Sequence, residues 1–437
     1  MSWLNFFETK TELKHQFGRG INANIPKDEE DLFNKSYEAF EKKDILNAYE
    51  FFLKSLQNYS NNISNQNIVI KRADEKLNFE IFQGTAKISG TITKENLYAE
   101  AIITKKSSAN VALKRLILER NYQLTYAYYF SDDEYIKLKL FFDNITMTPQ
   151  KIFFPLREIA LNADFDKEYT KSEFLDVPIE DIEHLKPLDE NELHIKYDFL
   201  HKWIDEITAK ISTLPSNDNA AMQSFILLYF IFKIDYLLVP KYAIFQKSSK
   251  KVQEYFSDEN LSVEAKNEEL RIYINELKKM GYEEFKTNFY NAKYTFNPNE
   301  KASQEEIDVF ITESLAKIRW YKNNRYNQVI PTIYKYIALY LLYNYGLHPV
   351  TKALLHTLVE IQNPDFFNSL GYDTLYDTKS SAFAKRAIIS RIDDIISPYQ
   401  SRFKLLKPFG DELNFTSLNE FSNSFYLQLK NLNFEEI

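Results

Sequence analysis

His194, Asp198, His201 and Asp205 stand four, three and four positions apart. On an α-helix that spacing sets two imidazoles and two carboxylates along one face. Such a donor set suits a divalent metal and metal-assisted hydrolysis. A single helix approaches a metal from one side only, so the site needs donors from a second element. None is announced, because His15, His184, His348 and His356 are scattered. His348 follows Gly346 and precedes Pro349, where a helix C-terminal cap is expected rather than a general base. A second constellation, Arg319, Trp320, Lys322, Arg325 and Tyr326, mixes cations with rings that could stack on a nucleic-acid base. Lys247, Lys250 and Lys251 read as a solvated loop. The carboxylate pairs Asp132 with Asp133 and Asp164 with Asp166 fall where turns or a connector are expected, as solvating and capping groups. The sequence holds no GxSxG elbow, HExxH, P-loop or strand-linked GxGxxG, so no standard catalytic signature points to a reaction.

Composition narrows the classes that remain. At 437 residues, with 44% apolar and 27% charged residues, the chain is long enough for two or three packed domains. Only eight glycines accompany 30 tyrosines and 35 phenylalanines, which favours long packed elements over glycine-built phosphate loops. A net charge of −8 gives poor support to general binding of nucleic acid or anionic lipid. The absence of cysteine excludes disulfides, thiolate metal sites and cysteine nucleophiles, and fits a reducing, cytoplasmic location. Residues 1–17 carry neither a basic n-region nor a sustained apolar stretch, so no secretion signal is read there. Trp3, Leu4, Phe6 and Phe7 form a short apolar patch, expected to dock on the protein itself. The run Phe225–Phe232, broken soon after by Lys233 and Asp235, reads as a core helix too short to span a bilayer.

The elements follow from apolar spacing. Residues 1–27 read as an N-terminal segment and linker, and 28–67 as a helical hairpin turning at Glu41–Asp44. Beyond it the period changes to two. Leu77, Phe79 and Ile81, then Ala86, Ile88 and Ile92, then Leu97, Ala99, Ala101 and Ile103 predict three antiparallel strands. Ser107 or Ser108 is expected to cap a helix with Val111, Leu113, Leu116, Ile117 and Leu118 on its face. Leu124, Tyr126, Tyr128 and Phe130 share one face of the next strand. An acidic turn leads into Ile136, Leu138, Leu140 and Phe142, and a last helix starts near Thr148 with Pro149 in its first turn. Tyr129, Tyr135 and Phe141 fall out of phase with these core sets, so they are the expected apolar contact surface. The predicted fold is an α+β module, an antiparallel sheet of about five strands with helices on one face, spanning 68–170. An acidic connector over 171–192 and an all-helical domain over 193–437 follow.

Two resemblances rest on these residues. Ala39, Ala48, Phe52 and Ser55 give the first hairpin the small and aromatic positions of a single tetratricopeptide repeat. Ile68 to Tyr169 resembles the YbjN family, which is similar to the type III secretion chaperones. The resemblance is carried by Leu116–Asn121 running into Leu124–Phe130, by the acidic turn before Ile136–Leu140, and by Leu156–Asp164. It implies a scaffold that is not an enzyme and that holds a partner polypeptide against its surface, often as a dimer. Secretion chaperones are small, whereas this chain continues for more than two hundred residues. The expectation is a cytoplasmic, cofactor-free adaptor or chaperone-like component of a larger assembly. It would bind another polypeptide on the sheet face or edge, with homodimerisation as an option. The competing readings are a metal-dependent hydrolase or nuclease at His194, Asp198, His201 and Asp205, and a nucleic-acid-binding regulator at Arg319–Tyr326.

Overall fold

The computed structural model describes residues 15–18, 27–57, 67–215 and 219–436. The Trp3–Phe7 patch and most of the 17–28 linker lie outside them. Two compact units emerge: one runs through Lys186 and includes Tyr290–Asn297, the other holds Pro187–Phe289 and the chain from Pro298 onward.

In the first unit, α1 (Lys27–Glu41) and α2 (Ile45–Leu56) form the expected hairpin. Ala39, Ala48, Phe52 and Ser55 are buried in its seam. The sheet has six antiparallel strands: β1 (Ile68–Ala73), β2 (Lys76–Gln83), β3 (Ala86–Ile92), β4 (Asn96–Lys105), β5 (Tyr128–Ser131) and β6 (Tyr135–Asp143). They lie in the order β1-β2-β3-β4-β6-β5. The extra strand is β1, whose alternation is confined to Ile68 and Ile70 before Lys71 and Arg72 break it. Helix α3 (Val111–Arg120) is capped by Asn110, whose side chain accepts the Leu113 N–H at 2.9 Å, not by a preceding serine. Only Leu113 and Ile117 of its expected face are buried. Helix α4 (Pro149–Glu173), capped by Thr148, sets Ile152, Leu156, Ile159, Ala160 and Ala163 into the sheet core.

Strand pairing places Phe79 opposite Gly90. A Cβ at Gly90 would meet the Phe79 ring at 2.2 Å, so the ring fills the space that glycine leaves. Burying a phenylalanine this way contributes about 2–3 kcal/mol.

The expected connector is structured. Helix α4 carries Asp164 and Asp166 into the interior, and residues 174–186 fold back on the sheet. Glu180 N–H donates to Ile103 O at 3.0 Å. Thr104 Oγ1 donates to Pro178 O at 2.7 Å, and Val177 and Ile179 are buried. The eleven acids of 164–192 masked these anchors. Buried carboxylates need partners, and both have them. Asp164 accepts the Thr85 N–H at 2.8 Å, and Asp166 pairs with Arg120 Nε at 2.9 Å.

Residues 290–297 also belong to this unit, a placement that the sequence does not signal. Gln83 holds them as a strand would: its Oε1 accepts the N–H groups of Thr295 at 3.0 Å and Phe296 at 2.8 Å. Its Nε2 donates to Phe296 O at 3.2 Å. The Phe296 side chain is fully buried in the same core.

The second unit is mostly helical: α5 (Glu190–Ser212), α6 (Ala220–Lys233), α7 (Tyr242–Ser257), α8 (Val263–Lys279), α9 (Tyr282–Lys286), α10 (Gln304–Asn323), α11 (Ile330–Asn344), α12 (Pro349–Gln362), α13 (Pro364–Ser369), α14 (Lys385–Ile396) and α15 (Leu418–Leu429). A two-residue hairpin, β7 (Tyr376–Asp377) and β8 (Ala382–Phe383), interrupts it. A π-helical turn, Ile234–Leu238, extends α6, so Ala220–Leu238 is long and apolar enough to cross a membrane. Its apolar window is 83% buried inside the protein, so the core-helix expectation holds although the stretch is longer than its apolar run suggested. Lys247, Lys250 and Lys251 sit on α7, where Glu254, Glu269 and Glu276 pair with them, and are not in a loop.

Candidate functional site

Successive residues of a strand point to opposite faces. Helices cover one face of this sheet, and the other carries polar and aromatic rows fixed by the strand register. One row runs Lys71, Asn78, Thr91, Tyr98 and Phe141. The next runs Glu80, Ser89, Glu100, Lys139 and Tyr128. Between them lies a groove of about 320 Å³, with Val69 and Lys71 at one end and Tyr98 and Glu100 at the other.

Glu100 organises the floor. It accepts the Tyr98 hydroxyl and the Lys137 ammonium, the latter at 3.1 Å, and lies 3.9 Å from Lys139 Nζ. Burial, then the Glu100 carboxylate, pushes the Tyr98 phenol above its ordinary range, so it stays protonated as a donor. Lys137 also meets Asp132 at 3.0 Å, and these partners outweigh burial to raise its pKa. Lys139 Nζ lies 3.8 Å from the centre of the Phe130 ring, a cation–π contact that pins the ring on the open face.

The three expected contact residues separate. Phe141 is 54% exposed on the open face. Tyr135 is half-buried at the start of β6, with Lys137 Nζ 5.8 Å from its ring. Tyr129 is a correction: it is buried, and its hydroxyl donates to Asp166. The cause is register. Tyr129 pairs with core Leu138, while Tyr128 and Phe130 pair with Lys139 and Lys137 and so share the open face. The phase assigned to this short strand is inverted. Tyr98, Glu100, Lys137 and Lys139 escaped the sequence reading, although their out-of-phase positions on β4 and β6 were a signal.

The two sheet edges differ. At β5, Asn121 Oδ1 accepts the Tyr129 N–H at 2.7 Å, and the Glu158 carboxylate takes the amides of Thr125, Tyr126 and Ala127 just before the strand. Side chains thus block that edge. At β1, Asn67 O accepts the Phe82 N–H at 2.9 Å. The alternation of an antiparallel ladder then turns the backbone groups of Ile68, Ile70 and Arg72 away from β2. Gln57 Nε2 donates to Ile68 O at 3.2 Å. Among the described residues nothing pairs with the outward backbone groups of Ile70 and Arg72.

The proposed metal face does not converge. The His194 ring stacks on Tyr282 at 4.3 Å, His201 packs edge-on to Tyr197 at 4.5 Å, and Asp205 pairs with Lys278 at 2.7 Å. Among the described residues no three His, Asp or Glu side chains are grouped to hold a metal. Trp320 stacks on Tyr326 at 6.1 Å at the end of α10. His348 is a cap of the other kind: its Nδ1 accepts the Val350 N–H at 3.2 Å, so it opens α12 instead of closing α11. Burial, then Lys301 and Arg402, hold this imidazole down to about 3, neutral and fit to accept.

No family model matches the sequence, and no curated protein matches it.

Proposed function

We propose that the chain is a non-catalytic adaptor or chaperone-like protein whose first unit holds an extended segment of a partner polypeptide. The reading rests on one observation, a solvent-open sheet face with a 320 Å³ groove beside an edge strand that retains outward backbone groups. An extended segment pairs through its backbone at Ile70 and Arg72 of β1 and lays alternate side chains toward Val69 and Lys71, at the β1 end of the groove. Tyr128, Phe130 and Phe141 give the far rows apolar surface, and the resemblance to the YbjN family accords with such a role. Glu100 is saturated by Tyr98, Lys137 and Lys139, which suits a binding floor better than a general base. The lack of cysteine accords with a cytoplasmic site of action.

The test is a photo-cross-linking amino acid placed at Thr91 in the full chain, in its native cell, with Leu118 on α3 as an exposed control position. The expected product is one defined polypeptide joined at 91 and not at 118, lost when Phe141→Ser and Tyr98→Ala are combined. Equal labelling at both positions, or adducts confined to nucleic acid or lipid, overturns the proposal.

A further inference from the structure

The helical unit contains a cluster of lysines, of which Lys233 is buried and Lys210 and Lys335 are half-buried, with no part in the proposed adaptor role. Helical spacing puts Lys202, Glu206 and Lys210 on one face of α5. Lys233 comes from α6, Thr332 and Lys335 from α11, and Asp365 from α13. Lys233 is only 5% exposed, and its Nζ lies 3.8 Å from the centre of the Trp203 ring and 5.5 Å from that of Tyr229. Ring attraction of this kind falls short of the cost of desolvating an ammonium.

Carboxylates do not close the gap. Asp365 lies 3.1 Å and Glu206 4.0 Å from the same group, Lys202 Nζ. Among the described residues, no carboxylate lies within 4.0 Å of Lys210, Lys233 or Lys335. Lys210 donates to the Thr332 hydroxyl. Burial, followed by the charge of Lys335, lowers both Lys210, to about 8, and Lys233. Four lysines therefore face two acids, an excess of two positive charges when all are protonated.

We propose that Lys210, Lys233 and Lys335, with the Thr332 hydroxyl, form a binding site for a phosphate-class dianion. The charge excess equals that of a phosphate group above its second pKa of about 6. Lysine is a suitable point-charge partner for it. Binding draws the Lys233 ammonium from the Trp203 ring toward the anion, which gives the site its own optical signal.

The experiment titrates the full chain, in a Trp3→Phe/Trp320→Phe background, with inorganic phosphate while Trp203 fluorescence and thermal unfolding are followed. Sodium chloride at matched ionic strength is the comparator. A saturable one-to-one change and a rising Tm are expected. Lys335→Met should weaken binding by about tenfold or more, while Lys286→Met, at a half-exposed lysine paired with Glu283, should leave it unchanged. If Lys335→Met does not fold by circular dichroism, Lys210→Met at a partly exposed position takes its place. Competition by O-phosphoserine but not serine marks a phosphate ester as the ligand; its absence marks the free ion. No saturable response, a response reproduced by chloride, or unaltered binding in the lysine variant overturns the proposal.

Discussion

Asp164 Oδ1 accepts the Thr85 N–H at 2.8 Å from a carboxylate that stands where a side chain at Gly84 would go. A Cβ there would lie 2.2 Å from that oxygen, and Gly84 has φ +55°, where an L-residue is strained. The sharp β2–β3 turn and the anchor of α4 therefore depend on one missing side chain.

Gly84→Ala should destabilise the first unit by about 3 kcal/mol, from strain and collision together. Asp164→Ala strands a buried N–H and should cost about 2 kcal/mol. Urea unfolding followed by hydrogen exchange in β2 and β3 measures both. A Gly84→Ala protein as stable as wild type contradicts this account.

Gln83 should control residues 290–297. Gln83→Leu leaves the Thr295 and Phe296 N–H groups without their acceptor, at about 1–3 kcal/mol each. The expected result is faster amide exchange at 295 and 296, with the β3–β4 ladder still protected. Unchanged exchange there would show that Tyr290, whose hydroxyl donates to Glu168 at 2.8 Å, suffices to anchor the segment.

Most of the sheet was legible because long strands with one buried face repeat their signal. Leu97, Ala99, Ala101 and Ile103 admit one phase, since a one-residue slip would expose all four. Tyr128–Ser131 is only four residues long and aromatic on both faces, so its phase is set by pairing with β6, which periodicity does not encode. Asp164, Asp166 and Lys167 were illegible for another reason. A buried charge is identified by its partners, and those of Asp164 and Asp166 lie at Thr85, Arg120 and Tyr129, distant in sequence. The same holds for the lysine cluster, drawn from three helices. The placement of 290–297 rests on the side chain of Gln83 more than two hundred residues away.

The inverted phase has a measurable consequence. Tyr129→Phe removes a hydroxyl from the buried Asp166 carboxylate and should cost about 1–2 kcal/mol. Phe141→Ser, on the open face, should change stability by less than about 0.5 kcal/mol. Paired melting curves decide it, and the reverse ranking would return Tyr129 to the surface.

Acid should destabilise the helical unit through two histidines. Burial comes first for both, with Lys301 and Arg402 adding to it at His348, and Arg391 and Lys352 at His356. Each imidazole is held at about 3, below its ordinary 6.5. The folded state thus binds fewer protons than the unfolded chain between pH 6.5 and pH 3, and stability falls as pH drops through that window. The upper limit is about 1.4 kcal/mol per pH unit for each histidine, or roughly 4 kcal/mol for both between pH 7 and pH 5. Lys352, lowered by burial to about 7, extends the same sign above neutrality. Glu360, raised by burial, acts with the opposite sign above pH 4.5. The His356 ring is bonded to the Tyr236 hydroxyl at 2.9 Å, so His356→Phe trades that bond for a ring that cannot titrate. Its Tm should be lower at pH 7 but fall about half as steeply toward pH 5. A variant that keeps the full wild-type slope would mean that His356 is protonated in the folded protein, and that the acid sensitivity arises elsewhere.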